Sequence, residues 1–417
     1  MIEGHPQGEG SGGGPGKVLF ISPQPFFEWR GSPIRVSYTL RALAELGHEV
    51  DFLTLPIGQE KQIEGIRIFR VPNWFGIEGV PIGPSFWKAV FDVFLLFKAL
   101  RLARRRRYDV VHGVEEAGAL ALIVARMTGG SVVFEKHSDP SSYRRGPFRN
   151  LVLWLYAKVE AFSIRRAEAV IATGPGLVRQ AEQALRRRRS SGDGWRQRIH
   201  HISDIPSSLV EADPERTAAI RKRLCSRARQ KLVLYVGSFA VYQGVHLLFA
   251  SIPLVARRRE DINFVVIGGS GQQIEEEKAK LARAGAAEAV LFVGKVPPDE
   301  LPDYLAAADI LLSPRIAGSN TPLKLLDYLK AGRAIVATNS EANRLILDQA
   351  TALLVDLTPE ALAAAVCRLV DDDGLRRRLA AQGRRLIDER YNFDEFRGRL
   401  AACYEGLRNG KGLPEAR

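Results

Sequence analysis

Residues 313–339 read SPRIAGSNTPLKLLDYLKAGRAIVATN. The apolar residues just before and into this stretch, Ile310, Leu311 and Leu312, predict a short buried strand. A loop of small residues follows, then an apolar-periodic helix opening at Pro322, then Ala331-Gly332 and a second apolar run at 334–337 that predicts the next strand. A strand that feeds a glycine-containing loop into a helix N-terminus makes an anion site. The first-turn N–H groups have no partner inside the helix, and the helix dipole is positive there. Pro322 suits that first turn, since it has no N–H to leave unpaired. Lys324 and Asp327 follow three apart, near one helix face. A cation and a carboxylate beside unpaired amides is what a diphosphate joined to a ribose needs.

Outward from this stretch, strand and helix signals alternate along the chain, which predicts an α/β protein with parallel sheets covered by helices. The first series of predicted strands is 17–22 (KVLFIS), 50–55, 66–71, 110–113, 132–135 and 169–172, with a helix at 36–46 that Gly47 ends. Residues 203–230 lose strand character and carry prolines and charges, as a linker would. A second series starts at 232 (LVLYVG) and continues at 264–267, 290–293, 310–313, 334–338 and 353–355. The chain therefore divides into a glycine-rich leader at 1–16, a doubly wound N-terminal domain at 17–205, a second such domain at 206–390, and a terminal segment at 391–417 whose helix is expected to pack back on the first domain. In such folds ligands sit at the carboxyl ends of the strands.

The 417 residues carry 60 Lys and Arg against 47 Asp and Glu, a net charge of +13. Arginine runs at 104–107, 186–189, 257–259 and 376–378 hold much of the excess. Such a balance favours acidic partners, among them anionic lipid and phosphorylated substrates. Nucleic acid is not expected, because the basic runs lack interleaved aromatics that would stack bases. Apolar content of 46% and charged content of 26% fit a globular protein. Cys225, Cys367 and Cys403 have no metal-ligand spacing and cannot pair evenly, so a reducing, cytoplasmic setting is expected. The best candidate apolar run, 89–97, is broken by Asp92 and too short to span a bilayer. The segment 86–107 (FWKAVFDVFLLFKALRLARRRR) is aromatic at its start and ends in four arginines. It reads either as an interfacial helix on the inner membrane face or as a core helix with a solvated basic end.

Other motifs sit where strands end. Gly237 and Gly244 bracket a strand-to-helix loop that would let backbone approach a phosphate, or simply make a tight turn. Gly268-Gly269-Ser270-Gly271 lacks the third glycine and the acidic residue of a dinucleotide fingerprint. His137, in 134–139 (FEKHSD), follows a predicted strand, where a ligand contact or an ordinary structural histidine would both be found. Glu115-Glu116 follows another strand end. Asp371-Asp372-Asp373 resembles a metal motif, but a helix cap explains it better. No metal and no cofactor are expected.

Several blocks together carry a family resemblance. They are KVLFIS with GSPIRVSYTLRALAELGHEVDFLT in the first half, and YVGSFAVYQGVHLLFASI, FVVIGGSGQ, LFVGKVPPDELPDYLAAADILLSPR and NTPLKLLDYLKAGRAIVATN in the second. In order and spacing the chain from 17 to 407 resembles the retaining, nucleotide-sugar-dependent glycosyltransferases of family four, which have the GT-B fold and include cell-envelope enzymes. The resemblance implies two Rossmann-like domains facing a cleft. It implies a nucleoside-diphosphate sugar as donor and a lipid-linked or glycan acceptor. Asp327 stands where the second Glu of the family's Glu-x7-Glu motif stands and would bind the ribose. Amides near Thr321 to Leu323 would hold phosphate, with Asn320 beside them and Pro322, which has no N–H to give, shaping the turn. Gly31 would approach the diphosphate from the other domain, backbone around Val293 to Val296, with Lys295 in it, would frame the base, and His137 would lie near the reacting sugar.

Three positions depart from the family. Ser319 stands where the first Glu is expected, and Ser238 and Gln243 stand for the usual Arg and Lys of the first donor-domain loop. Two cations and a carboxylate are therefore missing, and charge-assisted contacts dominate phosphate binding. Lys324 is the expected replacement, with Arg315 as a helper. The competing expectation is a catalytically weak relative that binds nucleotide sugar or a partner without transfer.

Overall fold

The computed structural model describes residues 16–26, 31–58, 62–80, 85–139, 147–186, 196–225, 230–318 and 321–409. They form two compact units. The first lies within Met1–Thr173, Leu177–Ile202 and Phe396–Arg417, and the second within Gly174–Gly176 and Ser203–Glu395.

In the first unit the chain runs β1 (Lys17–Ser22), α1 (Gly31–Glu45), β2 (Glu49–Thr54), β3 (Ile66–Arg70), α2 (Phe86–Arg105), β4 (Val110–Val114), α3 (Ala117–Thr128), β5 (Ser131–Lys136), α4 (Pro147–Arg166), β6 (Ala169–Ala172), α5 (Pro175–Arg186) and β7 (Ile199–His201). The strands make one parallel sheet in the order β3-β2-β1-β4-β5-β6-β7. The order reverses between β1 and β4, the switch point where doubly wound sheets open a crevice.

The second unit runs α6 (Pro214–Leu224), β8 (Lys231–Val236), α7 (Val245–Ala256), β9 (Ile262–Ile267), α8 (Gly271–Arg283), β10 (Val290–Gly294), α9 (Leu301–Ala307), β11 (Ile310–Ser313), α10 (Leu323–Lys330), β12 (Ala334–Thr338), β13 (Leu353–Val355), α11 (Pro359–Asp371) and α12 (Asp373–Arg390). Its parallel sheet has the order β10-β9-β8-β11-β12-β13, with the switch point between β8 and β11. The last helix, α13 (Phe393–Asn409), lies mostly within the first unit.

The two doubly wound sheets are the architecture that the alternation of signals predicts. The reason is visible in the second unit. Val233 and Tyr235 of β8 enter one apolar core, with Phe264, Val266, Ile310 and Leu312. Leu232 and Leu234 of the same strand enter the core on the other face, with Val265, Ile267 and Leu311. Both faces of each strand are apolar because helices cover both. Each fully buried Leu or Val contributes about 1.5–3 kcal/mol.

Four local expectations are corrected. Residues 203–230 contain the helix α6, opened by Asp213, whose side chain accepts from Arg216 N, with Pro214 in its first turn. Ile220 and Leu224 bury its inner face. The prolines there serve as a helix start as well as a connection. The strand β7 escapes sequence reading because its IHH is half-buried at the sheet edge. The helix expected at 36–46 begins at Gly31, so Gly31 is its first residue rather than part of a loop. The helix expected to open at Pro322 begins at Leu323, with Pro322 as its cap. Asp372 caps α12 by accepting from Leu375 N at 2.8 Å, while Asp371 pairs with Arg259 and Asp373 with Arg376. Among the described residues no group of three or more His, Cys, Asp or Glu is arranged to hold a metal.

Candidate functional site

At the switch point of the second unit, the loops after β8 and β11 close on each other. Ile316 N donates to Tyr242 O at 3.0 Å. Gly244, at φ 66°, lies so close to Pro314 that an added Cβ would come 1.9 Å from its carbonyl oxygen. Any side chain there would force the loops apart. At the mouth of these loops Lys324, in the first turn of α10, points inward. Its Nζ donates to Gln243 Oε1 at 2.9 Å and to Val236 O at 3.4 Å, and it lies 4.5 Å above the ring of Tyr235. The Tyr235 hydroxyl donates to Ser238 O at 3.0 Å, so one side chain supports both the cation and the loop. Gly237, at φ 154°, leaves the space beside this pair open, since a Cβ would reach within 3.4 Å of Lys324 Nζ.

Arg315 is the second cation. It is buried, its guanidinium lies 5.2 Å over the Tyr242 ring, and Nε donates to Ala317 O at 2.9 Å. Burial first, and then Arg315, lower the Lys324 ammonium to about 7. Burial lowers Arg315 as well. Two cations with aromatic and amide supports, at a helix N-terminus, can receive an anion. Sequence reading singled out Lys324 and Arg315. It missed Tyr235, which looked like one more apolar strand residue.

Asp327 has different partners from Lys324. Its two carboxylate oxygens accept from Ser207 N at 2.6 Å and Ser207 Oγ at 2.8 Å. Burial raises it to about 6, against the pull of those hydrogen bonds. It lines a cavity with Ser207, Ser208, Leu301, Leu305 and Arg384. Each oxygen keeps a second lone pair for another donor. Val293 is half-buried against the core and Lys295 is exposed, in the loop that follows β10. That loop is tied to the one after β9 by Gly268 N donating to Gly294 O at 2.7 Å. Thr321 and Leu323 are half-buried and Pro322 is buried. Ser319 and Asn320 lie outside the described residues.

The first unit gathers a different set at its own strand ends. Glu135 of β5 is fully buried and accepts from Arg35 Nε of α1 at 2.6 Å. Its other oxygen is 3.0 Å from His112 Nε2 of β4, and His112 Nδ1 is 2.8 Å from the Tyr404 hydroxyl of α13. Burial would push Glu135 up, but Arg35, His137 and His112 outweigh it and hold the carboxyl well below its usual range. Burial lowers His112, against the pull of Glu135. His137, just past β5, has its side chain buried with Nε2 3.2 Å from Glu135 Oε1. Its backbone N donates to Glu115 Oε1 at 2.9 Å.

Glu115 is the one non-glycine at positive φ among the described residues, at 53°. Tyr156 donates to Glu115 Oε2 at 3.1 Å and is 3.2 Å from Glu116 Oε2. Lys88 of α2 pairs with Glu116, and Lys136 pairs with Glu160 of α4. Burial raises Glu160 to about 7 and Asp92 to about 8. His137 and Glu115 were visible as strand-end residues. Arg35, Glu135 and Tyr404 were not, because nothing local marks a partner 100 or 292 residues away.

Comparison with known proteins places both halves. The family described as Glycosyltransferase Family 4 matches residues 29–190, and the one described as Glycosyl transferases group 1 matches residues 230–372. The chain is 26% identical over 367 residues to the alpha-D-kanosaminyltransferase of Streptomyces kanamyceticus, covering 84% of this chain and 91% of that protein. It is 26% identical over 320 residues to a GDP-mannose-dependent alpha-(1-6)-phosphatidylinositol monomannoside mannosyltransferase of Mycobacterium tuberculosis, covering 73% and 79%. Among solved structures it resembles a sucrose-phosphate synthase from Thermosynechococcus elongatus, with TM-score 0.74, 20% identity, and 95% and 100% of the two chains covered. It also resembles Anabaena Alr3699/HepE in complex with UDP and glucose, with TM-score 0.70, 15% identity, and 94% and 99% covered. At such identities these structures speak for the fold alone.

Proposed function

Because the chain belongs to the family-four glycosyltransferases and has their GT-B fold, we propose that it transfers a sugar, with retention, from a nucleoside-diphosphate donor to an acceptor hydroxyl. The observation that carries this reading is the inward-turned Lys324 at the start of α10, above Tyr235 and beside Arg315. Charge on the leaving diphosphate grows as the sugar bond breaks. Cations and helix amides already aimed at that place stabilise the transition state without reorganising. In the proposed front-face step the acceptor oxygen bonds to the anomeric carbon as the carbon–phosphate-oxygen bond breaks. The acceptor proton passes to the departing phosphate, on the same side of the sugar.

In this scheme Lys324, Arg315 and the amides of Thr321 and Leu323 hold the diphosphate. Asp327 holds the ribose through its remaining lone pairs, and backbone from Val293 to Val296 frames the base. His137 serves the sugar, oriented by Glu135 and Glu115. The acceptor is proposed to be lipid-linked or a cell-envelope glycan. The +13 charge and the aromatic, arginine-ended α2 support that step, as does a relative whose name includes phosphatidylinositol.

A thermal-shift panel of nucleoside diphosphates and their sugars, GDP and UDP included, tests the donor. A ligand at a hundred times its Kd adds about 2.7 kcal/mol of stability. Turnover of a labelled donor, lost in Lys324→Ala, tests transfer. Binding without turnover would favour the weak relative, a reading that Gln243 supports by already occupying the Lys324 ammonium. No response to any nucleotide would overturn the proposal.

A further inference from the structure

Three helices on one side of the first unit leave an apolar outer face. The helix α4 buries Leu153, Ser163 and Ile164, yet Leu151, Trp154, Leu155, Val159 and Phe162 stand 55%, 55%, 52%, 47% and 42% exposed. Their spacing of three and four residues makes one continuous stripe along the helix. The helix α2 repeats the pattern. Phe91, Leu95 and Ala99 face the core, while Phe86 and Phe97 are 74% and 66% exposed and Val93 lies between them. Packed against both is α3, which adds exposed Ile123 and Met127. Trp74 meets Phe94 edge to face and Phe75 packs tilted against Trp87; both are exposed and extend the patch beyond the start of α2. Isolated exposed apolar residues are ordinary, but a contiguous face of this kind is a surface that something covers.

The charges on the same helices say what covers it. Between them α2, α3 and α4 hold two carboxylates, Asp92 and Glu160. Asp92 has a buried carboxylate oxygen, and Glu160 pairs with the buried Lys136. The cations face outward: Arg101, Arg104 and Arg105 on α2, Arg126 on α3, Lys158 and Arg166 on α4. Lys158 Nζ lies 5.2 Å over the Trp154 ring and the Arg166 guanidinium 5.4 Å over the Phe162 ring. A cation laid over an exposed ring can keep its charge at a phosphate level while the ring enters an apolar layer. A protein partner of ordinary composition would meet this face with carboxylates and apolar groups in some fixed pattern. A sheet of anionic headgroups over acyl chains meets all of it at once.

We propose that the outer face of α2, α3 and α4 is a docking surface for an anionic lipid bilayer, with the aromatic stripe of α4 as its inserting edge and the cations of α2 and α4 on the headgroups. The proposal shares the lipid-linked acceptor of the proposed function as its motive, but it is read without donor or transfer, so either can fail alone.

The test is co-sedimentation of the full chain, at low salt, with vesicles of phosphatidylcholine alone and with added phosphatidylglycerol, alongside tryptophan emission. Binding to the anionic vesicles only, with a blue shift, is expected. Trp154→Ser with Phe162→Ser should weaken it at least about tenfold. Lys158→Gln with Arg166→Gln should weaken it and flatten its salt dependence. All variants should keep the melting temperature and far-ultraviolet circular dichroism of the free parent protein, which shows that they fold. Failure of the parent to bind, or equal binding by the Ser variant, overturns the proposal. So does self-association that the Ser variant abolishes while vesicle binding stays absent, since the face would then belong to a second copy of the chain.

Discussion

The strand ends of the two units solve opposite electrostatic problems on the same topology. In the first unit a buried anion, Glu135, is compensated on the spot by Arg35 and two histidines, and the circuit closes through Tyr404. In the second unit the charged group acting on Lys324 is another cation, Arg315, and among the described residues the partners that support the ammonium are neutral. One site carries its own counter-ion. Among the described residues the other holds no anion, and a buried charge without its counter-ion is costly. The first arrangement holds residues in place, and under the proposed function the second stores affinity for a diphosphate.

The largest way to break this contrast is Lys324→Ala. It should lower kcat/KM for the donor about a thousandfold, some 4 kcal/mol, and abolish the nucleotide-induced thermal shift. The melting temperature of the free protein should hold or rise by a few degrees, because a group that folding holds far from its ordinary charge state is gone. Enzyme assays and calorimetry check both. A free protein that melts much lower would mean that Lys324 is structural.

Next is Arg35→Met, which strands Glu135 in the core. It should cost about 3 kcal/mol or more of unfolding free energy, measured by denaturant titration at neutral pH. The sign with pH follows from the depressed Glu135. The stability it contributes is present above the ordinary carboxylate range and is lost as pH falls through its low folded value. The variant should therefore close on the parent only in strong acid. A Met variant as stable as the parent at pH 7 would show the network to be dispensable.

A smaller effect sharpens the second site. The free enzyme should show a bell-shaped kcat/KM for the donor, falling about tenfold per unit below about 6, as Asp327 takes a proton, and above about 7, as Lys324 loses one. A bound diphosphate favours the ammonium, so kcat should hold to higher pH than kcat/KM. A flat profile would remove both residues from donor binding. Smallest is Tyr235→Leu, which takes away the ring beneath Lys324 and should raise the donor KM by roughly threefold to thirtyfold, the range of one cation–π contact. Tyr235→Phe should recover most of it.

How much of this was legible depends on distance along the chain. The sheets were, since a strand covered on both faces is an unbroken apolar run, as LVLYV in β8 and FVVI in β9 are. So was Lys324, because a helix start, a glycine loop and a cation sit within a dozen residues. What stayed hidden is set by chain-distant pairs: Ser207 on Asp327, Arg35 on Glu135, Tyr404 on His112. Each member looks ordinary where it stands. The helix α6 was missed for another reason: Pro214 and its arginines read as a connection, and only Ile220 and Leu224 show that it has an inner face.

The bond from Tyr404 to His112 joins the last helix to a strand nearly three hundred residues earlier. A chain ending at Glu395 therefore carries the whole second unit but lacks the closing piece of the first. Without α13, His112 Nδ1 loses its Tyr404 partner. Such a truncated chain should accordingly offer its first half to proteases, and its second half much less.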